Sequence, residues 1–367
     1  MGTRCDPTDP ARPPRGGIQV IGRSIALGLV LVLLVGCAPV AHRPLAPATP
    51  LPTATPRPIR LPADDAPHDD LTEWWYYTGH LETPDHHHYG FEFVIFQVER
   101  QDAPIYYAAH FAITDPQRKE FHYDQKSWTL ARAPTTFDIG TGGWTVTGDG
   151  YTDTLRATMP GYGVDLKVSA LKRPTFHGHD GVVSFGPAGD SYYYSVTRLA
   201  VEGAIDDHGV RRTVHGVAWK DRQWGNFLTV AGGGWDWFSV QLSDGTDLML
   251  FLLRGPLGTT SPSYGTLVPA EGPAVELQPG TASVTVTGHW TSPHTDATYP
   301  SGWTLDLPDR RMQLQVKPVL ADQELDTRPS TGQVYWEGEV TIEGEDQGRP
   351  VIGQGYVELT GYAKPRP

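Results

Sequence analysis

An all-β protein built from two copies of one module is what this sequence predicts. Three observations carry that expectation. The stretch Glu73-Trp74-Trp75-Tyr76-Tyr77-Thr78-Gly79-His80-Leu81 has a fainter twin, Trp235-Asp236-Trp237-Phe238-Ser239-Val240-Gln241-Leu242, when Leu81 is aligned with Leu242. Each copy is followed by a turn and a second apolar segment, at 90–98 and at 247–253. From residue 71 to residue 362, short alternating or apolar segments are separated by turn signals such as Asp149-Gly150, Asp207-His208-Gly209 and Asp244-Gly245, and no window sustains a 3.6-residue stripe. Four aromatics in a row are too bulky and too β-prone for a surface helix and fit a half-buried pleated strand. A repeated opening strand implies a duplicated unit, and sandwiches or barrels follow.

Taken in order, the chain opens with Arg4, Arg12, Arg15 and Arg23, then an apolar run at 25–35. About 11 residues is short for a bilayer span and right for the core of a signal peptide. The run ends in Leu34-Val35-Gly36-Cys37, which matches a bacterial lipobox. We therefore expect a signal peptide over 1–36, diacylglycerol on Cys37, and anchorage to the extracytoplasmic face of a bacterial cell membrane. Residues 37–62 carry Pro44, Pro47, Pro50, Pro52, Pro56, Pro58 and Pro62 and read as a semi-rigid tether. Strands are expected at 105–113, 143–146, 166–171, 191–199, 213–219, 284–290, 312–316, 333–342 and 355–359. The second aromatic strand begins after Gly232-Gly233-Gly234, which places one domain at 63–230 and the other at 231–367.

Composition narrows the function classes. The 33 Pro and 41 Gly argue against long helices. Removing residues 1–36 leaves 25 basic against 40 acidic side chains, a net charge of −15. Such a surface argues against nucleic acid and against electrostatic attraction to anionic lipid; the membrane contact expected is the lipid anchor. Cys5 and Cys37 are the two cysteines, so the mature domains hold no disulfide and depend on their cores.

Glu73-Trp74-Trp75-Tyr76, Ala109-His110-Phe111-Ala112-Ile113-Thr114-Asp115, Gly216-Val217-Ala218-Trp219-Lys220-Asp221-Arg222-Gln223-Trp224-Gly225, Tyr335-Trp336-Glu337-Gly338 and Gly355-Tyr356-Val357-Glu358-Leu359-Thr360-Gly361-Tyr362 occur in this order. Together they resemble the lipocalin-like superfamily of carotenoid 1,2-hydratases (hydroxyneurosporene synthases) and AttH-type secreted hydrolases, over about residues 64–362. The resemblance implies two tandem lipocalin-like β-barrel domains. It also implies acid-catalysed hydration or cyclisation of an apolar, isoprenoid substrate.

Asp221 is the sharpest candidate. Adding water to an alkene needs an acid to protonate carbon and a site that tolerates a carbocation. A carboxyl buried among aromatics meets both needs, because burial keeps it protonated and ring faces stabilise cationic charge. In the resembling hydratases the acid lies in an aromatic-x-Asp motif, which Trp219-Lys220-Asp221 matches with Trp in place of the typical Tyr. Their upstream His and Trp are matched by Tyr192 and Tyr194. The expected ligand-binding set is Tyr192, Tyr194, Trp219, Trp224 and Glu73. The alternative is a structural Asp221 that pairs with Arg222 or Arg198 or caps a turn. His110 either relays a proton from a roomy strand face or is a satisfied barrel histidine. Glu73 is a second acid or a partner for Arg222 or Arg100, and Glu358 reads as structural.

No metal and no cofactor are expected. His86-His87-His88 sits in a turn where adjacent side chains splay apart, and His177-Gly178-His179-Asp180 lacks a third ligand. A Gly-x-Ser-x-Gly elbow is absent from the sequence, and Ala231-Gly232-Gly233-Gly234 reads as a linker. Beside the enzyme stands a second reading: a lipid-anchored carrier of an apolar ligand, serving an ABC-type transport system.

Overall fold

The computed structural model describes residues 57–364, apart from 101–102, 179, 185–188, 228–233 and 256–263. The expected signal peptide, Cys37, most of the tether and the boundary near residue 230 lie outside the described residues.

A short 3-10 turn at Ala63–Asp65 precedes an all-β chain. The first group of strands is β1 (Thr72–Glu82), β2 (His88–Val98), β3 (Ile105–Asp115), β4 (Glu120–Leu130), β5 (Asp138–Thr141), β6 (Trp144–Gly148), β7 (Thr152–Met159), β8 (Tyr162–Ala170), β9 (Thr175–Phe176), β10 (Val182–Ser184), β11 (Asp190–Asp207) and β12 (Val210–Gly225). The second is β13 (Trp235–Leu242), β14 (Asp247–Leu253), β15 (Tyr264–Val268), β16 (Val275–Glu276), β17 (Ser283–Val286), β18 (His289–Thr291), β19 (Thr298–Pro300), β20 (Trp303–Leu307), β21 (Met312–Pro318), β22 (Glu324–Asp326), β23 (Val334–Asp346) and β24 (Arg349–Thr360).

The first group forms a sheet in the order β4-β3-β2-β1-β12-β11-β8-β7-β6-β5, and the second a sheet in the order β16-β15-β14-β13-β24-β23-β21-β20-β17. The two orders correspond position by position from β4 and β16 to β6 and β17, and β5 extends the first sheet by one strand. Trp74 and Trp235 therefore open equivalent strands, as the duplicated motif requires. Register deepens the match. Tyr76 lies opposite Val94 and Asp221, and its counterpart Trp237 lies opposite Phe251 and Glu358.

Each sheet curls around its own core, giving the two lipocalin-like β-barrel domains. Trp75, Tyr77, Phe93, Phe111 and Trp144 fill the first; Phe238, Trp303, Leu314 and Trp336 fill the second. On β7 the buried and open positions alternate, so its outer face meets solvent. On β1, expected to be half-buried, almost every position is buried, because the second barrel packs on its other side. A third cluster, including Tyr76, Val94, Tyr193, Trp219, Trp237 and Tyr356, fills that seam. Removing each such side chain from water contributes about 1.5–3 kcal/mol, which explains the run of aromatics with no polar alternation. Arg198 pairs with Asp247 at 2.6 Å, and Gln241 Nε2 donates to the Thr197 carbonyl at 2.7 Å. These contacts tie the barrels together across the seam.

Candidate active site

Period-two geometry divides the motif on β12 into two faces. Trp219, Asp221 and Gln223 face the seam, whereas Lys220, Arg222 and Trp224 face the first barrel. Asp221 lies opposite Tyr76 on β1 and Ser195 on β11. Its Oδ1 accepts from Trp219 Nε1 at 2.6 Å and from the Ser195 hydroxyl; its Oδ2 accepts from the Tyr193 hydroxyl at 2.5 Å. Burial drives the carboxyl upward while these three donors oppose it, leaving a pKa of about 6.

The donors are themselves positioned. Tyr193 Oη accepts from Trp237 Nε1 of the second barrel at 3.0 Å. Ser195 donates to Asp221, so its oxygen is free to accept from His177 Nε2, 2.7 Å away. That assigns the proton of His177 to Nε2 and leaves Nδ1 to accept from Thr266 at 2.9 Å. Burial, which pushes His177 down to about 3, keeps the ring neutral.

The cavity beside Asp221 is lined by aromatic rings from both barrels, among them Trp74, Tyr76, Phe96, Trp235 and Trp237. The cavity is about 60 Å³ and opens to solvent. Tyr76 and Trp237 meet edge to face at 5.3 Å. A second carboxyl, Glu358, lines the same cavity and accepts from Trp235 Nε1 at 2.8 Å. Burial and the charge of Asp221 raise it to about 7. Glu358, read from the sequence as structural, thus occupies the register position equivalent to that of Asp221 and lines the cavity.

Further along the seam lie two more buried acids. Glu337 accepts from the Tyr76 hydroxyl at 2.8 Å and is held well above the usual carboxylate range by burial and by Glu358 and Glu92. Glu92 accepts from the Tyr335 hydroxyl at 2.9 Å and is pushed up to about 8, chiefly by burial. Asp221, Glu358, Glu337 and Glu92 form no ion pair with Lys or Arg among the described residues, so protons rather than cations balance them.

The remaining predicted residues lie elsewhere. Tyr192, Tyr194 and Trp224 face the first barrel, away from the Asp221 cavity. Tyr192 stacks on Trp224 at 5.1 Å, and the Tyr194 hydroxyl donates to Asp65. A single irregularity explains this placement. Asp207 pairs with Val210 and Leu199 with Ala218, but between Val196 and Leu199 the register slips by one residue. Counted back from the turn without that slip, Tyr194 would share the face of Asp221; with it, Tyr193 does. Glu73 bonds Arg222 and, at 2.7 Å, His68 Nδ1. Arg222 and Arg198 are thus engaged by Glu73 and Asp247, not by Asp221.

His110 shares the seam face but sits three strands from Asp221, roughly 14 Å at the usual strand spacing. It contacts the Tyr335 hydroxyl at 2.7 Å and Ser330 Oγ at 3.0 Å, and burial pushes it down to about 3. It is a satisfied, neutral histidine outside the cavity. Lys220, between Trp219 and Asp221, turns inward to Asp65 at 2.8 Å and Asp153 at 3.0 Å.

A sequence model described as AttH-like matches residues 52–362. The chain belongs to the AttH-like family. It is 33% identical to a solved structure described as AttH of Nitrosomonas europaea, with a TM-score of 0.78, covering 86% of this chain and all of that one. Kievitone hydratase of Nectria haematococca shares the fold, with a TM-score of 0.70 at 19% identity over 83% of this chain and 93% of that one. The dehydratase AsqC of Emericella nidulans is 25% identical over 227 residues, which make up 58% of this chain and 63% of the relative. The match therefore spans less than two thirds of that relative.

Proposed function

We propose that this AttH-like protein catalyses addition of water to a carbon–carbon double bond of an apolar, isoprenoid substrate, or the reverse elimination. One observation carries the reading: two buried carboxyls, Asp221 at about 6 and Glu358 at about 7, share one aromatic cavity and pair with no Lys or Arg among the described residues. Near neutral pH such a pair holds one proton between them, mostly on Glu358, and the tautomer that carries it on Asp221 is the one that reacts. In the hydration direction the Asp221 proton goes to one alkene carbon as the π bond breaks. The faces of Tyr76, Trp235 and Trp237 stabilise the carbocation on the neighbouring carbon. Water adds there and yields its proton to Glu358, and one proton is returned to Asp221 for the next turnover. Elimination runs the same steps backwards, so Asp221 handles the carbon-bound proton and Glu358 the oxygen-bound one in both directions. His177, Ser195, Tyr193 and Trp219 hold Asp221 in place.

The kinship with a dehydratase and the fold shared with a hydratase support this reaction class. An apolar substrate fits the aromatic walls, and a lipidated Cys37 would bring the cavity to the bilayer in which such a substrate dissolves; Cys37→Ser should release the protein from membranes. The reaction itself is tested by incubating a panel of isoprenoid alkenes and tertiary alcohols with the protein in D2O. Turnover places deuterium on carbon. Asp221→Asn should lower it about 10²–10⁴-fold while binding of the apolar compound persists. Binding without isotope incorporation by the wild-type protein would instead make it a carrier.

A further inference from the structure

At the other end of the seam, away from Asp221, lies a cluster that the proposed reaction does not use. His80 is on β1, His88 begins β2 and Glu339 is on β23 of the second barrel. His80 pairs across the strands with Gly90, and His88 with Glu82, so the two histidines are diagonal neighbours on one face. Their tips converge on a single atom. His80 Nδ1 is 2.8 Å and His88 Nε2 2.7 Å from Glu339 Oε1. The other carboxylate oxygen, Oε2, is buried and has no hydrogen-bond partner among the described residues.

Two imidazoles crowding one oxygen while its twin goes unbonded is a poor arrangement for plain ion pairs, which would use one oxygen each. Buried polar atoms are ordinarily satisfied, and an orphan calls for a missing partner such as an ion. The orphaned oxygen packs against Gly90, where a Cβ would lie 2.7 Å from Oε2 and 2.4 Å from the Tyr356 hydroxyl, itself buried without a partner among the described residues.

We infer that His80, His88 and Glu339 form a site for a divalent first-row transition-metal ion that clips the two barrels together. The donor set is right for such an ion, since imidazole and carboxylate suit zinc and iron and two histidines disfavour magnesium or calcium. The three ligand atoms lie within 4.8 Å of one another. A tetrahedral ion with bonds near 2.0–2.2 Å spaces its ligands roughly 3.3 Å apart, within reach of small side-chain rotations. The His88 side chain is 34% exposed, against 4% for His80 and 2% for Glu339, so the ion has an entry path and a position open to water. His86 and His87 do splay away, as the turn implies, toward Glu82 and Asp115. His88 escapes that fate because it has already entered the strand.

The test uses the full-length protein without a polyhistidine tag, stripped with EDTA and titrated calorimetrically with Zn²⁺, with anaerobic Fe²⁺, Mn²⁺, Mg²⁺ and Ca²⁺ as parallel arms. We expect one saturable site for a transition metal and none of comparable affinity for Mg²⁺ or Ca²⁺. Stripping should lower Tm and the metal should restore it. His88→Gln, at the rim, should fold normally and lose at least about 100-fold in affinity, the upper end of what even outer-shell changes cost. His86→Gln, at a side chain 86% exposed, should bind as wild type. Absence of saturable binding, equal binding by His88→Gln, or equal affinity for Ca²⁺ would overturn the site. None of these readouts involves turnover, so they are independent of the Asp221 chemistry.

Discussion

Removing one phenolic hydroxyl should retune the Asp221 carboxyl without touching its shape. Tyr193 is the donor on Asp221 Oδ2, while Trp219 and Ser195 serve Oδ1. In Tyr193→Phe the carboxylate keeps two of its three donors. A hydrogen bond to a charged group is worth about 1.5–3 kcal/mol, and 1.36 kcal/mol is a tenfold change in acid dissociation. Asp221 should therefore become a roughly ten- to hundred-fold weaker acid and titrate above its present value of about 6. The same substitution strips Trp237 Nε1 of its acceptor, 3.0 Å away, which should cost about 1–3 kcal/mol of stability. The assay is ¹³C NMR of labelled aspartate carboxyls between pH 4 and 9, with Asp221→Asn identifying the resonance. An Asp221 midpoint that stays put or falls in Tyr193→Phe would refute the donor argument, and no substrate is needed to find out.

Turnover should trace a bell against pH with its maximum between about 6 and 7, because the active form holds one proton on the Asp221–Glu358 pair; Glu358→Gln should collapse the bell to a single limb in a pH–rate series. Glu92, raised to about 8 in the fold against about 4.3 in an unfolded chain, contributes stability that is full below the lower value and lost as pH rises through the higher one. Thermal melts should accordingly show Glu92→Gln gaining on wild type between pH 5 and 9. Lys220→Met leaves Asp65 and Asp153 buried without their 2.8 and 3.0 Å partner and should destabilise by about 3–5 kcal/mol in urea unfolding; a change under 1 kcal/mol would contradict the buried pairing.

Local order along the chain determined a good deal by itself. The aromatic runs at Trp74–Tyr77 and, around Asp236, at Trp235–Phe238 were legible as strands, and their recurrence at a constant offset specified a duplicated all-β fold. That both faces of these strands are buried was decided by the packing of the two barrels. Alternation along β12 put Trp219 and Asp221 on one face whatever the rest of the chain did. Three further things waited for the tertiary structure. The slip between Val196 and Leu199 exchanged Tyr194 for Tyr193 beside Asp221, because one extra residue reverses every side chain beyond it. The partnership of Asp221 with Glu358, 137 positions later, depended on which strands flank β1 and β13, and pairing between distant strands leaves no periodic trace. His80, His88 and Glu339 met only because two barrels pack seam to seam. Covalent order constrains which face a side chain occupies within its strand; burial and register across strands decide what it meets there.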